Sequence, residues 1–223
     1  MEKNEQPTSR SVSEIWKGPV IIIEVGPDRE PYHIHEALLT STSGYFRGAL
    51  SSEAFKEKQD GKVTLEDVDT ATFSAFASYI YWGALPPETE WGKEFPVAGD
   101  EVWFPSDYIS RWYVFADRFL VPGMKQIIMD GAHTLYRNMR PRYQSITYAF
   151  KNLNDSDSFL RLLVDSYCDN WTGPTDLVSP EDQAEVEKLP EEFLRRAMDR
   201  FRVLHQQGER RLAVRNRAVY SKI

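Results

Sequence analysis

The sequence predicts an α+β fold: a small sheet of three short strands, flanked by a cluster of helices and continued by a helical last third. Three observations predict it. The runs VIIIEV and PYHIH bracket the turn residues Gly26-Pro27-Asp28-Arg29, and a third run, GKVTL, stands at 61–65. From Glu36 onward the apolar residues change to helical spacing. The 223 residues are 41 % hydrophobic and 13 % aromatic, enough to fill one domain, or one domain with a helical appendage.

Residues 1–14 are polar, and a flexible lead-in over 1–18 is expected. Val20 to Val25 reads as the first strand and about Pro31 to His35 as the second, joined in a hairpin. Ala37, Leu38, Tyr45, Phe46, Ala49 and Leu50 have helical spacing, broken by Ser43-Gly44 into two short helices. After the third strand, the Asp69 carboxylate can take an orphan amide of a first turn. Phe73, Phe76, Ala77 and Ile80 recur at i, i+3, i+4 and i+7, defining one buried face, and Gly83 stands where a helix closes on a left-handed glycine.

About Ala84 to Pro105 is irregular, with Pro86, Pro87, Pro96 and Pro105 among the large aromatics Trp91, Phe95, Trp103 and Phe104. Those four rings can form an exposed partner patch, or fold back as a lid over the core. Ser106 can cap the next helix, striped by Ile109, Trp112, Tyr113, Ala116 and Phe119. Leu120-Val121-Pro122-Gly123 then reads as a sharp corner, followed by a helix from about Met124 to Leu135. The last third reads as a helix over Tyr143 to Lys151, a longer one striped by Phe159, Leu160, Leu163, Val164, Tyr167 and Trp171, and a third over Pro190 to Gln206. Phe193, Ala197, Phe201 and Leu204 face inward on the third.

The formal net charge of −7 argues against a general nucleic-acid binder, but it is uneven. Residues 189–223 carry nine Lys and Arg against four acids, a balance of +5, leaving −12 for the rest. Arg210, Arg211, Arg215 and Arg217 make the densest part of this basic end. It can pair with the acidic body or meet an acidic partner. A single cysteine, Cys168, excludes an intrachain disulfide and suits a reducing compartment. The amino terminus lacks an apolar core of signal-peptide length, and the longest apolar run, PVIIIEV, is too short to span a bilayer. An intracellular protein, cytoplasmic or nuclear, with no membrane contact is expected.

Catalytic signals are sparse. His33 and His35 would share one face of a strand, roughly 6.5 to 7 Å apart, close enough to offer two zinc ligands with Glu36 as a third. The alternative is a strand ending at a helix start, one ring exposed and the other packed. No glycine-rich phosphate loop or Gly-x-Ser-x-Gly elbow occurs. Cys168 lies near an inward helical stripe, a place for packing rather than nucleophilicity, and Asp155, Asp157 and Asp165 have no ligand spacing. No enzyme, cofactor or metal is expected.

With these residues in place, the chain resembles the BTB/POZ domain. His35-x-x-Leu38-Leu39, Ser43-x-Tyr45-Phe46, Phe55-x-Glu57, Val63-x-Leu65-x-Asp67-Val68-Asp69 and Tyr113-x-x-Ala116-Asp117-x-Phe119-Leu120-Val121-Pro122 fall in that family's order and spacing. The resemblance covers about 19–135, with 84–107 as an insertion. It implies a small three-stranded mixed sheet flanked by helices, with His35 packing and hydrogen-bonding where the second strand meets the first helix. PRYQSITYAF, LRLLVDSYCDNW and LPEEFLRRAM, within 136–223, resemble the helical extension of filamentous-fungal members.

What the resemblance implies is protein binding without an active site. Members that recruit a cullin ubiquitin ligase use a hydrophobic-x-Glu motif, matched here by Phe55-Lys56-Glu57 just after the helix bearing Tyr45. The ring would fill a cullin pocket and the carboxylate would order the loop. Repressor-type members form homodimers beside a charged pocket, but Pro19 and Glu36 stand where its two charges are expected. The implied function is a protein-interaction module, adaptor or scaffold of a cullin-type ubiquitin ligase. The alternative is a transcription- or chromatin-associated factor using the Arg-rich end.

Overall fold

The computed structural model describes residues 15–51, 61–99, 102–171 and 184–206. Strands β1 (Val20–Val25), β2 (Glu30–His35) and β3 (Lys62–Leu65) form one sheet in the order β2-β1-β3. β1 runs antiparallel to β2, with Val20 opposite His35 and Val25 opposite Glu30, and parallel to β3, with Ile22 opposite Lys62. The sheet is therefore mixed. Alternation along β1 sends Ile21, Ile23 and Val25 into the core, while Glu24 on the other face meets Lys62 at 2.5 Å. The hairpin turns through Gly26, at φ 75°, and Arg29, at φ 54°.

The period change at Glu36 is real. Helices α1 (Glu36–Thr42) and α2 (Gly44–Ser51) are separated by Ser43, and α3 (Thr70–Trp82) follows the third strand. Asp69 caps α3, its carboxylate accepting from Thr72 N at 2.6 Å, and Gly83 closes it in the left-handed region at φ 69°. Burial raises the Asp69 carboxyl above its ordinary value, against the lowering effect of those Thr72 hydrogen bonds.

The insertion is not wholly irregular: a 3₁₀ turn over Glu88–Glu90 leads into the single turn α4 (Trp91–Glu94). Helices α5 (Pro105–Arg118) and α6 (Pro122–Leu135) complete the first body of helices. Ser106 does not cap α5. Pro105 already occupies the first turn, so the cap falls to Phe104, whose amide donates to Asp107 Oδ2 at 3.0 Å. Ser106 is instead buried, its hydroxyl 2.9 Å from that of Tyr136.

Helices α7 (Tyr143–Asn152), α8 (Ser158–Asp169) and α9 (Glu191–Gln206) make the tail. One apolar core runs from the sheet through α3, α5 and α6 into Ala149, Phe159 and Leu163. A second cluster joins Ile146, Cys168, Phe193, Ala197 and Leu204. Trp171 lies beyond the end of α8 and is largely exposed, its ring 5.5 Å from that of Phe201. Among the described residues, no helix is long and apolar enough to cross a membrane.

Candidate protein-interaction surface

The surface around Tyr45 is built on a corner. Leu120 adopts φ 53°, unusual for a residue with a branched side chain, and the chain reverses between α5 and α6. Gly44 N donates to Leu120 O at 3.0 Å, Tyr45 N to Phe119 O at 3.3 Å and the buried Ser43 hydroxyl to Phe119 O at 2.7 Å. These bonds fix the start of α2 on the corner. A Cβ at Gly44 would lie 2.9 Å from Leu120 Cβ, so the approach requires glycine.

Phe46 is fully buried and stacks 6.0 Å from Phe76 and 5.8 Å from Phe119. Tyr45 meets Phe119 edge-on at 4.8 Å but stays 40 % exposed. Leu120 is 61 % exposed beside it. Arg118 forms a two-point pair with Asp67, at 2.5 and 3.0 Å, and that guanidinium holds the Asp67 carboxyl below the usual range. The result is a rigid mount presenting an aromatic ring and an aliphatic side chain. Leu120 escaped the sequence reading, because the corner residues signal a turn without saying which of them faces out.

Phe55 and Glu57 lie outside the described residues, as do Arg210, Arg211, Arg215 and Arg217. Tyr45 is therefore the one residue of the expected cullin-type set whose surroundings are described.

Of the two readings of Trp91, Phe95, Trp103 and Phe104, an exposed patch or a lid over the core, the lid holds for three of the rings. Phe95 and Trp103 are buried, and Trp91 packs 4.7 Å from the ring of buried Trp112. Trp91 Nε1 also donates to Pro86 O at 2.8 Å, and Tyr108 Oη to Phe95 O at 3.1 Å. Three of the rings fold back over α5, because a cluster of indoles gains more from burial than from solvent. Phe104 alone is exposed, under the Arg142 guanidinium at 4.1 Å.

The two strand histidines are not brought together as ligands. His33 is exposed, while His35 Nδ1 lies 3.0 Å from Tyr81 Oη and its ring meets Trp16 edge-on at 5.2 Å. Among the described residues, no group of three His, Cys, Asp or Glu side chains could hold a metal. Trp16 and Tyr81 beside His35 are exposed, and Trp82, next to Tyr81 in the chain, is 81 % exposed. This second aromatic surface also escaped the sequence reading; a tryptophan one residue before the closing glycine of α3 was its only signal.

Cys168 is buried, and that burial pushes its thiol up to about 12, far from a nucleophile's range. A cavity of about 570 Å³ between α8 and α9 is lined by both signs of charge, including Asp155, Arg161, Arg196 and Asp199. Its arginines are largely committed: Arg196 Nε to Glu192 at 2.5 Å, and Arg200 to Asp165 and Asp169 at 3.1 and 2.9 Å.

The comparisons agree with this geometry. Residues 21–98 match the BTB/POZ domain family model, and the three-stranded mixed sheet wrapped by helices is that fold, with further helices at its carboxyl end. A BTB/POZ domain-containing protein of Arabidopsis thaliana is 31 % identical over 65 residues, covering 29 % of this chain. The match spans 23 % of that relative's length, so the likeness concerns the domain and not the whole plant protein.

Proposed function

We propose that this chain is a protein-interaction module serving as adaptor or scaffold of a cullin-type ubiquitin ligase, docking through Tyr45 together with Phe55 and Glu57. The match to the BTB/POZ domain supports a protein-interaction role. The observation that carries the finer reading is the mount itself. Ser43 and Gly44 lock α2 onto the Phe119-Leu120 corner, so Tyr45 and Leu120 are held out to solvent with little conformational freedom left to lose on binding. Phe55-Lys56-Glu57 follows that helix directly in the chain.

The test is capture of a cullin amino-terminal domain by the purified protein. Wild type retains the cullin, and Phe55→Ala with Glu57→Ala abolishes retention. A wild-type protein that ignores the cullin removes the ligase reading and leaves the interaction module.

Self-association is a second role, favoured by the exposed rings of Trp16 and Tyr81 beside His35 and by the exposed Trp82 that follows Tyr81 on α3. Light scattering checks it: a dimer that Trp82→Glu converts to monomer is the expected result, and a wild-type monomer at high concentration removes it. A chromatin-associated role through Arg210, Arg211, Arg215 and Arg217 requires strongly salt-dependent nucleic-acid binding, and ends if none is measured at low salt.

A further inference from the structure

Another cavity, of about 240 Å³, opens between the approach to α3, helix α5 and the end of α7. Arg111 and Arg118 stand seven residues apart on α5, and Tyr148 and Lys151 three apart on α7, so each pair shares one helix face. All four side chains line the cavity, together with Asp67, Asp69 and Thr72.

The carboxylates there are already engaged. Asp67 accepts two hydrogen bonds from Arg118, and Asp69 accepts from the Thr72 amide and hydroxyl at 2.6 and 3.0 Å. The donors are in excess. Arg118 gives Asp67 only two of its N–H groups, and neither the Lys151 ammonium nor the Tyr148 hydroxyl has a hydrogen bond or ion pair among the described residues. Arg111 is clamped between the rings of Trp103 at 4.3 Å and Tyr148 at 4.8 Å, with Asp69 Oδ2 at 3.9 Å. Burial raises the Tyr148 phenol above its ordinary value while Arg111 and Arg118 pull it down, so both guanidiniums stand near its oxygen. Three cations against two carboxylates leave a local positive excess on a chain of formal net charge −7.

Size narrows the occupant. At about 240 Å³ the cavity falls below the roughly 300 Å³ at which pockets for drug-sized ligands begin, so it suits one small group. Donors on two helices suit the three terminal oxygens of a phosphoryl group better than the two oxygens of a carboxylate.

We propose that this cavity is an anion site that takes one phosphoryl group, free or carried by a phosphorylated serine or threonine of a partner protein. Arg111, Arg118 and Lys151 supply the charge, and the Tyr148 hydroxyl donates to one of the oxygens. Such a site works whether or not the chain engages a cullin.

Calorimetric titration of the full chain with inorganic phosphate tests it, at an ionic strength held constant with chloride. A saturable heat for one site per chain is expected. Lys151→Met, at an exposed position, and Tyr148→Phe, which keeps the ring, should each weaken it at least about fivefold with the fold intact by circular dichroism. Arg161→Met, which removes a cation from the cavity between α8 and α9, should leave it unchanged. A capped phosphoserine peptide that binds more tightly than phosphate, while its unphosphorylated form does not bind, supports the site and assigns the group to a partner protein. Phosphate that binds as tightly as the peptide, or more so, supports the site with the free ion as occupant. No saturable heat from either ligand, or an affinity that neither cavity substitution changes, overturns the proposal. A loss in Arg161→Met as large as in Lys151→Met overturns it too, because net charge alone would then explain the binding.

Discussion

The sheet-side body and the tail are held together by different physics. Around β1, α3 and α5 the buried side chains are mostly apolar, and the rings of Phe46, Phe73, Phe76, Phe115 and Phe119 pack on one another. Where the tail meets that body, charges are buried. Lys125 bridges Asp117 at 2.6 Å and Asp157 at 2.9 Å, and Asp157 also accepts from Tyr113 Oη and caps α8. Burial alone would lower the Lys125 pKa, but the two carboxylates outweigh it and hold it above the ordinary value. Asp107 takes Arg142 and Ser145 from α7 and its approach, and Arg200 joins α9 to Asp165 and Asp169 of α8. Apolar burial is strong but undirected, whereas each of these pairs is satisfied in one orientation only. The first body gets its stability from area; the tail gets its register from charge.

The largest effect that could break this contrast lies in the first body. Trp112 is fully buried, and Trp112→Ala is expected to lose about 3 to 5 kcal/mol in chemical denaturation. Trp112→Phe should lose far less, because the indole Nε1 has no hydrogen-bond partner among the described residues. If the two variants were equally damaging, buried apolar area would not be what that region depends on.

In the tail, keeping apolar bulk should not help. Arg200→Ala and Arg200→Met both leave Asp165 and Asp169 buried without the Arg200 cation, and each is expected to cost about 3 kcal/mol. Differential scanning of both checks it; an alanine variant as stable as the wild type would show the pair to be idle.

A pH experiment sharpens the picture of the second cluster. The Cys168 thiol is raised to about 12 in the folded chain, so above the ordinary value near 9 the unfolded state loses a proton that the folded state keeps. The contribution is complete below that value and is lost as pH rises towards 12. Cys168→Ala should flatten the alkaline decline of stability, and thiol labelling of the native wild type at pH 8 should be slow until denaturant is added. Rapid native labelling would contradict this.

Smaller effects belong to caps and surface pairs. Asp69→Ala removes the cap of α3 and should cost about 1 kcal/mol, less if the buried carboxyl is already poorly solvated. Arg118→Ala breaks an exposed pair with Asp67 and should change stability by under about 1 kcal/mol.

Much of the fold was legible because its signals are local. Strand alternation, the break at Ser43-Gly44, the Asp69 cap and the Gly83 closure depend on residues within a turn of one another. The insertion was not legible, since whether Trp91, Phe95 and Trp103 face water or α5 depends on Tyr108 and Trp112, which composition cannot place beside them. The Ser106 reading failed for a local reason: Pro105 had already begun the helix. The candidate site was only partly legible. A motif pointed to Tyr45, Phe55 and Glu57, but the exposure of Leu120 follows from a positive φ that a Leu-Val-Pro-Gly string only hints at.

The central claim, that α2 and the corner behind it present a docking face for a cullin, is tested most directly by calorimetric titration of the purified chain with a cullin amino-terminal domain. A saturable heat is predicted, weakened at least about tenfold by Tyr45→Ala and lost in Phe55→Ala with Glu57→Ala. No heat from the wild type, or equal affinity in all three proteins, would contradict it.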